Sequence, residues 1–330
     1  MRFYLLLLCL GLGLAPLAQA GNDWQDFQKQ FVTADGRVID TGQGGISHSE
    51  GQGVGMLLAE AAGDQAAFKR IWEWTHDHLQ IRGDALLAWR WTLGEGVTDQ
   101  NNATDGDLLV AWALVRASNR WQNQAYLRAG LTIAQDLRKT AIRPSLFGPL
   151  LLPGLAGFER PDGIVINLSY WIFPALQALS NIDPAPEWDA LQQSGLALLS
   201  ASRFGRWQLP ADWVVINGDK LNLAEGFPKH FGYDAIRIPL YLYWAGLAST
   251  ERLQVYRDYW AFFDGARFLP AWTQLTDDSI DSHGASAGQR AIVSLLQGTK
   301  VFPPFPKNED YYSTALRQFC RLAVLKSGRR

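Results

Sequence analysis

The feature that most constrains this chain is a recurring pair of helical patterns. Amphipathic stretches arrive in twos, over 50–62 and 64–79, 105–118 and 122–137, 168–180 and 187–199, 234–247 and 251–263, and 285–297 and 308–325. The pair starts are spaced by roughly 50 to 65 residues, a repeat of supersecondary pattern with no repeat of sequence. One helical hairpin leaves an apolar stripe uncovered, so tandem hairpins must stack, and an even number can close into a ring of inner and outer helices. A further helix over 23–31 carries Trp24, Phe27 and Phe31 on one face. That makes eleven predicted helices, one short of six hairpins. The loops 82–104, 145–167 and 204–232 are rich in Gly, Pro and aromatic residues, and could hold short hairpins within an all-α fold. With no linker-like segment in the chain, residues 21–330 read as a single domain.

Residues 1–20 read as a signal peptide: Arg2 supplies the charged start, 5–14 the apolar run, and Ala18-Gln19-Ala20 the small-x-small cleavage site. The run is shorter than the roughly 20 residues a membrane span needs, and no later stretch is long enough, so an integral membrane segment is not expected after cleavage. A periplasmic location is expected, with secretion as the alternative. Cys320 would then be the one cysteine left, which excludes an internal disulfide and leaves stability to the core. Losing Arg2 with the leader changes the net charge from −2 to about −3, and no basic patch suggests a nucleic acid partner. His76-x-His78 would point apart on a helix, and the acidic residues near 99–106 lack calcium-loop spacing, so no metal site is expected. The aromatic content is high, with 14 Trp, 10 Tyr and 16 Phe. Ala88-Trp89-Arg90-Trp91 could offer flat rings to sugars, whereas Trp72 reads as core.

If the first helix of each pair is the inner one, the starts of these helices share one rim. That rim would gather Glu50, Asp105, Asp107, Asn167 to Tyr170, Tyr233 to Arg237, and Ser282-His283-Gly284. Two well-separated carboxylates on one rim are what acid–base hydrolysis of a glycoside requires. Glu50 suits the acid if loops desolvate it, and Asp234 the base, with Arg237 one turn on favouring its charged form. The bland alternatives are capping boxes, Ser47-x-x-Glu50 and Thr104-x-x-Asp107, the second being the preferred reading of Asp107. Gly51, Gly53 and Gly55 would admit either a ligand or a neighbouring helix close to the backbone. Gly195 would let a neighbour pack close, and Cys320 reads as buried and inert.

Six motifs together carry a resemblance: Ser49-Glu50-Gly51-Gln52-Gly53-Val54-Gly55-Met56, Ala88-Trp89-Arg90-Trp91, Ala103-Thr104-Asp105-Gly106-Asp107, Leu151-Leu152-Pro153-Gly154, Asn167-Leu168-Ser169-Tyr170 and Tyr233-Asp234-Ala235-Ile236-Arg237. In them the chain resembles glycoside hydrolase family 8, and within it the periplasmic endoglucanases associated with bacterial cellulose synthase. Leu168 departs from the proline usual there. The resemblance implies an (α/α)6 barrel and single-step, inverting hydrolysis of β-1,4-linked glycans without a metal or organic cofactor. It also implies roles: Glu50 as general acid, Asp234 as general base, Asp105 gripping the distorted sugar, Tyr170 and Arg237 in support, and Trp89 or Trp91 as a stacking platform; Tyr233 is a further candidate for substrate binding, with a core position the alternative for it and for Tyr170. The expected activity is an endo-1,4-β-glucanase on a cellulose chain, with a cellulose synthase complex as the expected partner. Alternatives are the same barrel acting on chitosan, xylan or mixed-linkage glucan, and a non-catalytic glycan-binding subunit of a polymer-export complex.

Overall fold

The computed structural model describes residues 15–263, 268–299, 302 and 309–327, the side chains of 15–22 and 327 excepted. The charged start and apolar run of the expected signal peptide lie outside the described residues. The first helix, α1 (Ala15–Phe31), begins earlier than the pattern predicted, and Trp24, Phe27 and Phe31 are buried as expected. Then come α2 (Ser49–Ala62), α3 (Gln65–Leu79), α4 (Thr104–Trp121), α5 (Gln124–Thr140), α6 (Phe173–Ser180), α7 (Pro186–Ala201), α8 (Arg237–Ala245), α9 (Thr250–Phe263), α10 (Ala287–Leu296) and α11 (Tyr311–Ser327). The described residues thus hold eleven α-helices, the number the pattern predicts. None of them is long and apolar enough to cross a membrane.

Five helices, α2, α4, α6, α8 and α11, are buried on nearly all sides and pack in that order, with α11 returning to α2. A helix apolar on one stripe belongs outside such a ring. Accordingly α3, α5 and α7 cover α2, α4 and α6, while α1 spans α2 and α11. Helix α11 is the second member of its pair, so the expectation that only the first member of each pair is inner fails for that pair. Helix α10, of whose residues only Arg290 is exposed, packs against both α8 and α11 and joins the inner set as its sixth member. Helix α11 buries Ser313, Thr314, Arg317 and Gln318 along with its apolar residues, so an interior position was masked by polar side chains. Ser282-His283-Gly284 therefore lie in the loop before α10, where His283 is mostly exposed.

Glycines set how closely the inner helices approach. A methyl group at Gly53 would stand 2.6 Å from Leu109 Cβ on α4, and one at Gly55 2.7 Å from Val38 Cγ2. At these two positions it is protein and not ligand that fills the space. Gly106 is tighter still: a Cβ there would lie 2.1 Å from Ser49 Oγ and 2.7 Å from Glu50 N. Glycine at 106 is what lets the starts of α2 and α4, and hence Glu50 and Asp105, come together. At the far end of α2, buried Glu60 receives Arg116 Nε at 2.6 Å and Arg120 Nε at 2.9 Å, fastening α2 to α4. Gly195 admits the indole of Trp171, whose Nε1 donates to Leu191 O at 2.9 Å.

The loops over the rim form small antiparallel sheets. Strands β1 (Ser47–His48), β2 (Arg90–Thr92) and β3 (Gly96–Asp99) make one, and β4 (Ile142–Arg143) with β5 (Leu150–Leu151) a second. The largest joins two long loops through β6 (Glu159–Arg160), β7 (Gly163–Ile166), β8 (Val214–Asn217) and β9 (Lys220–Leu223). A last pair is β10 (His230–Phe231) with β11 (Thr273–Gln274).

Candidate active site

Glu50 stands in the first turn of α2, and the cap there is not the one its sequence suggested. His48 is the N-cap, its Nδ1 accepting from Gly51 N at 3.0 Å, while Ser47 Oγ donates to Val38 O at 2.6 Å. The Glu50 carboxyl is thus released from capping and turns toward Arg237. Thr104-x-x-Asp107 is not a capping box either: Thr104 Oγ1 donates to Leu152 O at 2.8 Å, and Asp107 accepts from Leu87 N and Asn102 Nδ2, each at 2.8 Å. Asp107 secures the loop that carries Trp89, a structural use different from the expected cap.

Tyr170 and Asp234 lie a turn ahead of the helices predicted to hold them. Asn167 Oδ1 accepts from Ser169 N at 3.0 Å and closes a short 3-10 turn over Leu168–Tyr170, and Pro174 then fixes where α6 starts. Before α8, the turn holding Asp234 is closed by Arg237 N donating to Asp234 O at 3.0 Å.

At the centre is one guanidinium. Arg237 Nη1 donates to Glu50 Oε1 at 2.6 Å and lies 3.7 Å from Asp105 Oδ2; Nη2 donates to Asp234 Oδ1 at 2.6 Å and to Ser169 Oγ at 2.9 Å. Its Cζ sits 6.0 Å from the centre of the Tyr170 ring. Because Glu50 Oε1 and Asp234 Oδ1 contact the two terminal nitrogens of one planar group, they lie within about 7.5 Å of each other. Both carboxyl groups keep a side-chain exposure of 25%, enough for a ligand to reach them, whereas Asp105 at 3% shows a ligand only a small part of its surface.

One arginine cannot neutralise three carboxylates, so the cluster retains a proton. Burial, reinforced by the charge of Glu50, pushes Asp105 up to about 8, against the pull of Arg237. Burial also raises Asp234, to about 6; Arg237 and Asn167 lower it, while Asp212 and Glu50 raise it. Near neutral pH, Asp105 is therefore the neutral acid and Asp234 is mostly ionised, the state a base needs. The desolvation that would suit Glu50 to the acid role, were loops to cover it, is found in the free protein at Asp105, because Gly106 seats it against the start of α2.

This arrangement sets a stability expectation. A carboxyl raised in the folded state stabilises the protein below its unfolded value near 4, and that contribution is lost as pH rises through about 8. Asp105→Asn removes the ionisation, so its melting temperature relative to wild type should climb steadily from pH 5 to pH 9, while turnover falls about 10²-fold. A constant difference in melting temperature across that range would contradict the assignment.

The two tryptophans part company. Trp89 stays half-exposed beside Glu50: its carbonyl accepts from Ser49 N at 3.1 Å and its Nε1 donates to Asp99 Oδ2 at 2.7 Å. Trp91, past an irregularity in the β2–β3 register, meets Trp74 at 5.3 Å, His78 at 6.2 Å and the Arg37 guanidinium at 5.1 Å. Its ring packs toward the core, which leaves Trp89 as the platform candidate. Within α3, Trp74 is buried in the core and Trp72, expected there, packs against it half-exposed. His76 and His78 do point apart, the latter stacking on Trp74 at 4.5 Å. Cys320 is fully buried and free.

Tyr233 is 47% exposed, and its carbonyl accepts from Tyr312 OH. Tyr311 and Tyr312, at the start of α11, were missed; with α11 assigned outside the ring, nothing marked them. Burial pushes both hydroxyls well above the ordinary tyrosine value, helped by Glu50 and Asp40 at Tyr311 and, against the pull of Arg237, by Asp234 and Glu50 at Tyr312, so they remain protonated. His48 was also missed, hidden inside an apparent Ser47-x-x-Glu50 cap; its Nε2 lies 3.2 Å from Asp40 Oδ2.

An all-helical ring whose rim presents two reachable carboxyl groups, a third that keeps its proton and aromatic residues alongside defines a carbohydrate-cleaving hydrolase of the acid–base type. The chain belongs to the glycosyl hydrolases of family 8, whose family model matches residues 4–326, and its architecture is the (α/α)6 barrel of that family. Among its relatives, a probable endoglucanase of Novacetimonas hansenii is 41% identical over 92% of this chain and 90% of its own length. An endoglucanase of Cellulomonas uda is 36% identical over 86% of this chain and 80% of its own. The solved endo-β-1,4-glucanase of Acetobacter xylinum superposes with a TM-score of 0.90 at 38% identity, covering 95% of this chain and 99% of that one.

Proposed function

We propose that this protein is an inverting endo-1,4-β-glucanase acting on cellulose chains. The observation that carries the reading is the pair Glu50 and Asp234, both reachable and both held on Arg237 within about 7.5 Å, a limit compatible with the lower part of the roughly 6.5–9.5 Å of inverting enzymes, while the inverting outcome itself rests on the family resemblance. Once a glycan covers the site and displaces water from Glu50, that carboxyl carries a proton and gives it to the glycosidic oxygen as the bond to the anomeric carbon breaks. Asp234 takes a proton from the water that attacks that carbon from the opposite face. One displacement thus completes the reaction, and the new hydroxyl has inverted configuration. Asp105, protonated, donates to a hydroxyl of the sugar ring at the cleavage point, and Trp89 stacks on a neighbouring ring. The endoglucanase relatives and the solved endo-β-1,4-glucanase agree with this substrate class. The leader pattern of residues 1–20 and the sequence resemblance extend the proposal to export into the periplasm and to work beside a cellulose synthase.

The test is to incubate the protein with carboxymethylcellulose, xylan, chitosan and mixed-linkage glucan, measure reducing ends, and follow the first-formed anomer by NMR. The proposal expects the fastest release from carboxymethylcellulose and an α-anomer as first product. A β-anomer, or faster attack on another polymer, would overturn it.

A further inference from the structure

The base Asp234 sits on a turn, not inside a helix, and a turn bearing a reacting group needs something rigid to hold it. Helix α8 starts only at Arg237, and although Ile236 N reaches Gly232 O at 3.1 Å, the amides of Gly232 and Ala235 are met by a side chain instead of a helical carbonyl. Both converge on one oxygen: Gly232 N donates to Asp212 Oδ1 at 3.0 Å and Ala235 N at 2.8 Å. The other oxygen, Oδ2, is 2.9 Å from His230 Nε2. Asp212 is itself 2% exposed, and its own amide donates to His230 O at 2.9 Å, so the two residues are tied twice. His230 belongs to β10 and stacks on Trp272 at 5.4 Å, which seats the imidazole. The fit is close: a methyl group at Gly232 would come within 2.9 Å of the His230 ring.

We infer that Asp212, locked by His230, is the positioning residue of the base: its carboxylate holds the turn that aims Asp234 and places a fixed negative charge behind it. The inference rests on the reading of Asp234 as base. Geometry supports the first half through the two amide bonds. The second half follows from like charges, since a carboxylate near Asp234 disfavours a second negative charge there and raises its affinity for a proton. The other charged and titratable groups facing Asp234 are Arg237 and Tyr241 on α8, Glu50 on α2, Asp105 on α4, Tyr170 ahead of α6 and Tyr312 on α11. None of these touches the amides that Asp212 holds, so the effect of Asp212 can be isolated.

Asp212→Asn keeps an oxygen for the two amides and removes the charge. Its kcat and KM on carboxymethylcellulose would be measured from pH 4 to pH 9 beside wild type and Asp234→Asn. The expected result is a KM within twofold of wild type, a several-fold lower kcat at neutral pH, and an acid limb of the kcat profile displaced to lower pH. Wild-type kcat with an unmoved acid limb overturns the inference, as does a loss of kcat with no displacement, which would make Asp212 a fold residue only. If Asp212→Asn does not fold, His230→Phe removes just the donor to Oδ2. A several-fold fall in kcat at unchanged KM then supports the inference, and wild-type kcat overturns it. Failure of the underlying reading looks different: wild type would not cleave the polymer, or Asp234→Asn would remain active.

Discussion

Glu50→Gln should lower kcat on carboxymethylcellulose by about 10³-fold and leave cello-oligosaccharide affinity within twofold, because proton donation by a placed acid contributes roughly 10²–10⁴ in rate. The amide oxygen can still accept from Arg237 Nη1, so the site stays assembled. What is lost is the transferable proton. A synthetic glycoside whose leaving group departs unprotonated, such as a glycosyl fluoride, makes the role visible. Glu50→Gln should hydrolyse it at close to the wild-type rate, whereas Asp234→Asn, with no base for the water, should not. If both variants lose the fluoride reaction equally, Glu50 is not the acid. If Glu50→Gln turns over polymer normally, the site lies elsewhere.

Much of this was legible in the chain because the helices are long and one-sided. Trp24, Phe27 and Phe31 repeat at helical spacing and lie buried on one face, and the spacing of the pairs placed Glu50, Asp105, Tyr170 and Asp234 on one rim. Four things were not legible, each for a physical reason. Polar residues such as Arg317 and Gln318 broke the apolar stripe of α11, so an inner helix with Tyr311 and Tyr312 at its mouth read as an outer one. His48 replaced serine as the cap of α2, and a histidine cap has no sequence signature of its own. Burial by contact, which seats Asp105 deeper than Glu50, depends on Gly106 letting two backbones meet. Trp89 and Trp91 share a tetrapeptide, yet an irregularity of strand register separates their surroundings.

Arg237→Met is the second substitution with a large expected effect, and it acts on fold and chemistry together. Arg237 is 4% exposed and holds Glu50, Asp234 and Ser169 while lying 3.7 Å from Asp105. Removing one partner of a buried pair typically costs about 3–5 kcal/mol, since the remaining charge is left without compensation. Here Glu50 and Asp234 keep some contact with solvent and can bind protons instead, so the loss should be near 3 kcal/mol at pH 8 and smaller at pH 5. The sign follows from Arg237 lowering the proton affinity of Asp105 and Asp234. Without it these carboxyls titrate higher in the folded state, and stability that is present in acid is lost as pH rises through their new values. The same rise removes the ionised base at neutral pH, so kcat should fall at least 10²-fold and its acid limb should move upward, opposite to the displacement expected of Asp212→Asn. Arg237→Lys restores the charge but not the fork: one ammonium cannot occupy both nitrogen positions, and activity should be recovered only in part. Denaturant unfolding at pH 5 and pH 8, together with the kcat profile, decides the matter. Equal stability loss at the two pH values would mean that Arg237 matters through packing and not through the charges it bridges.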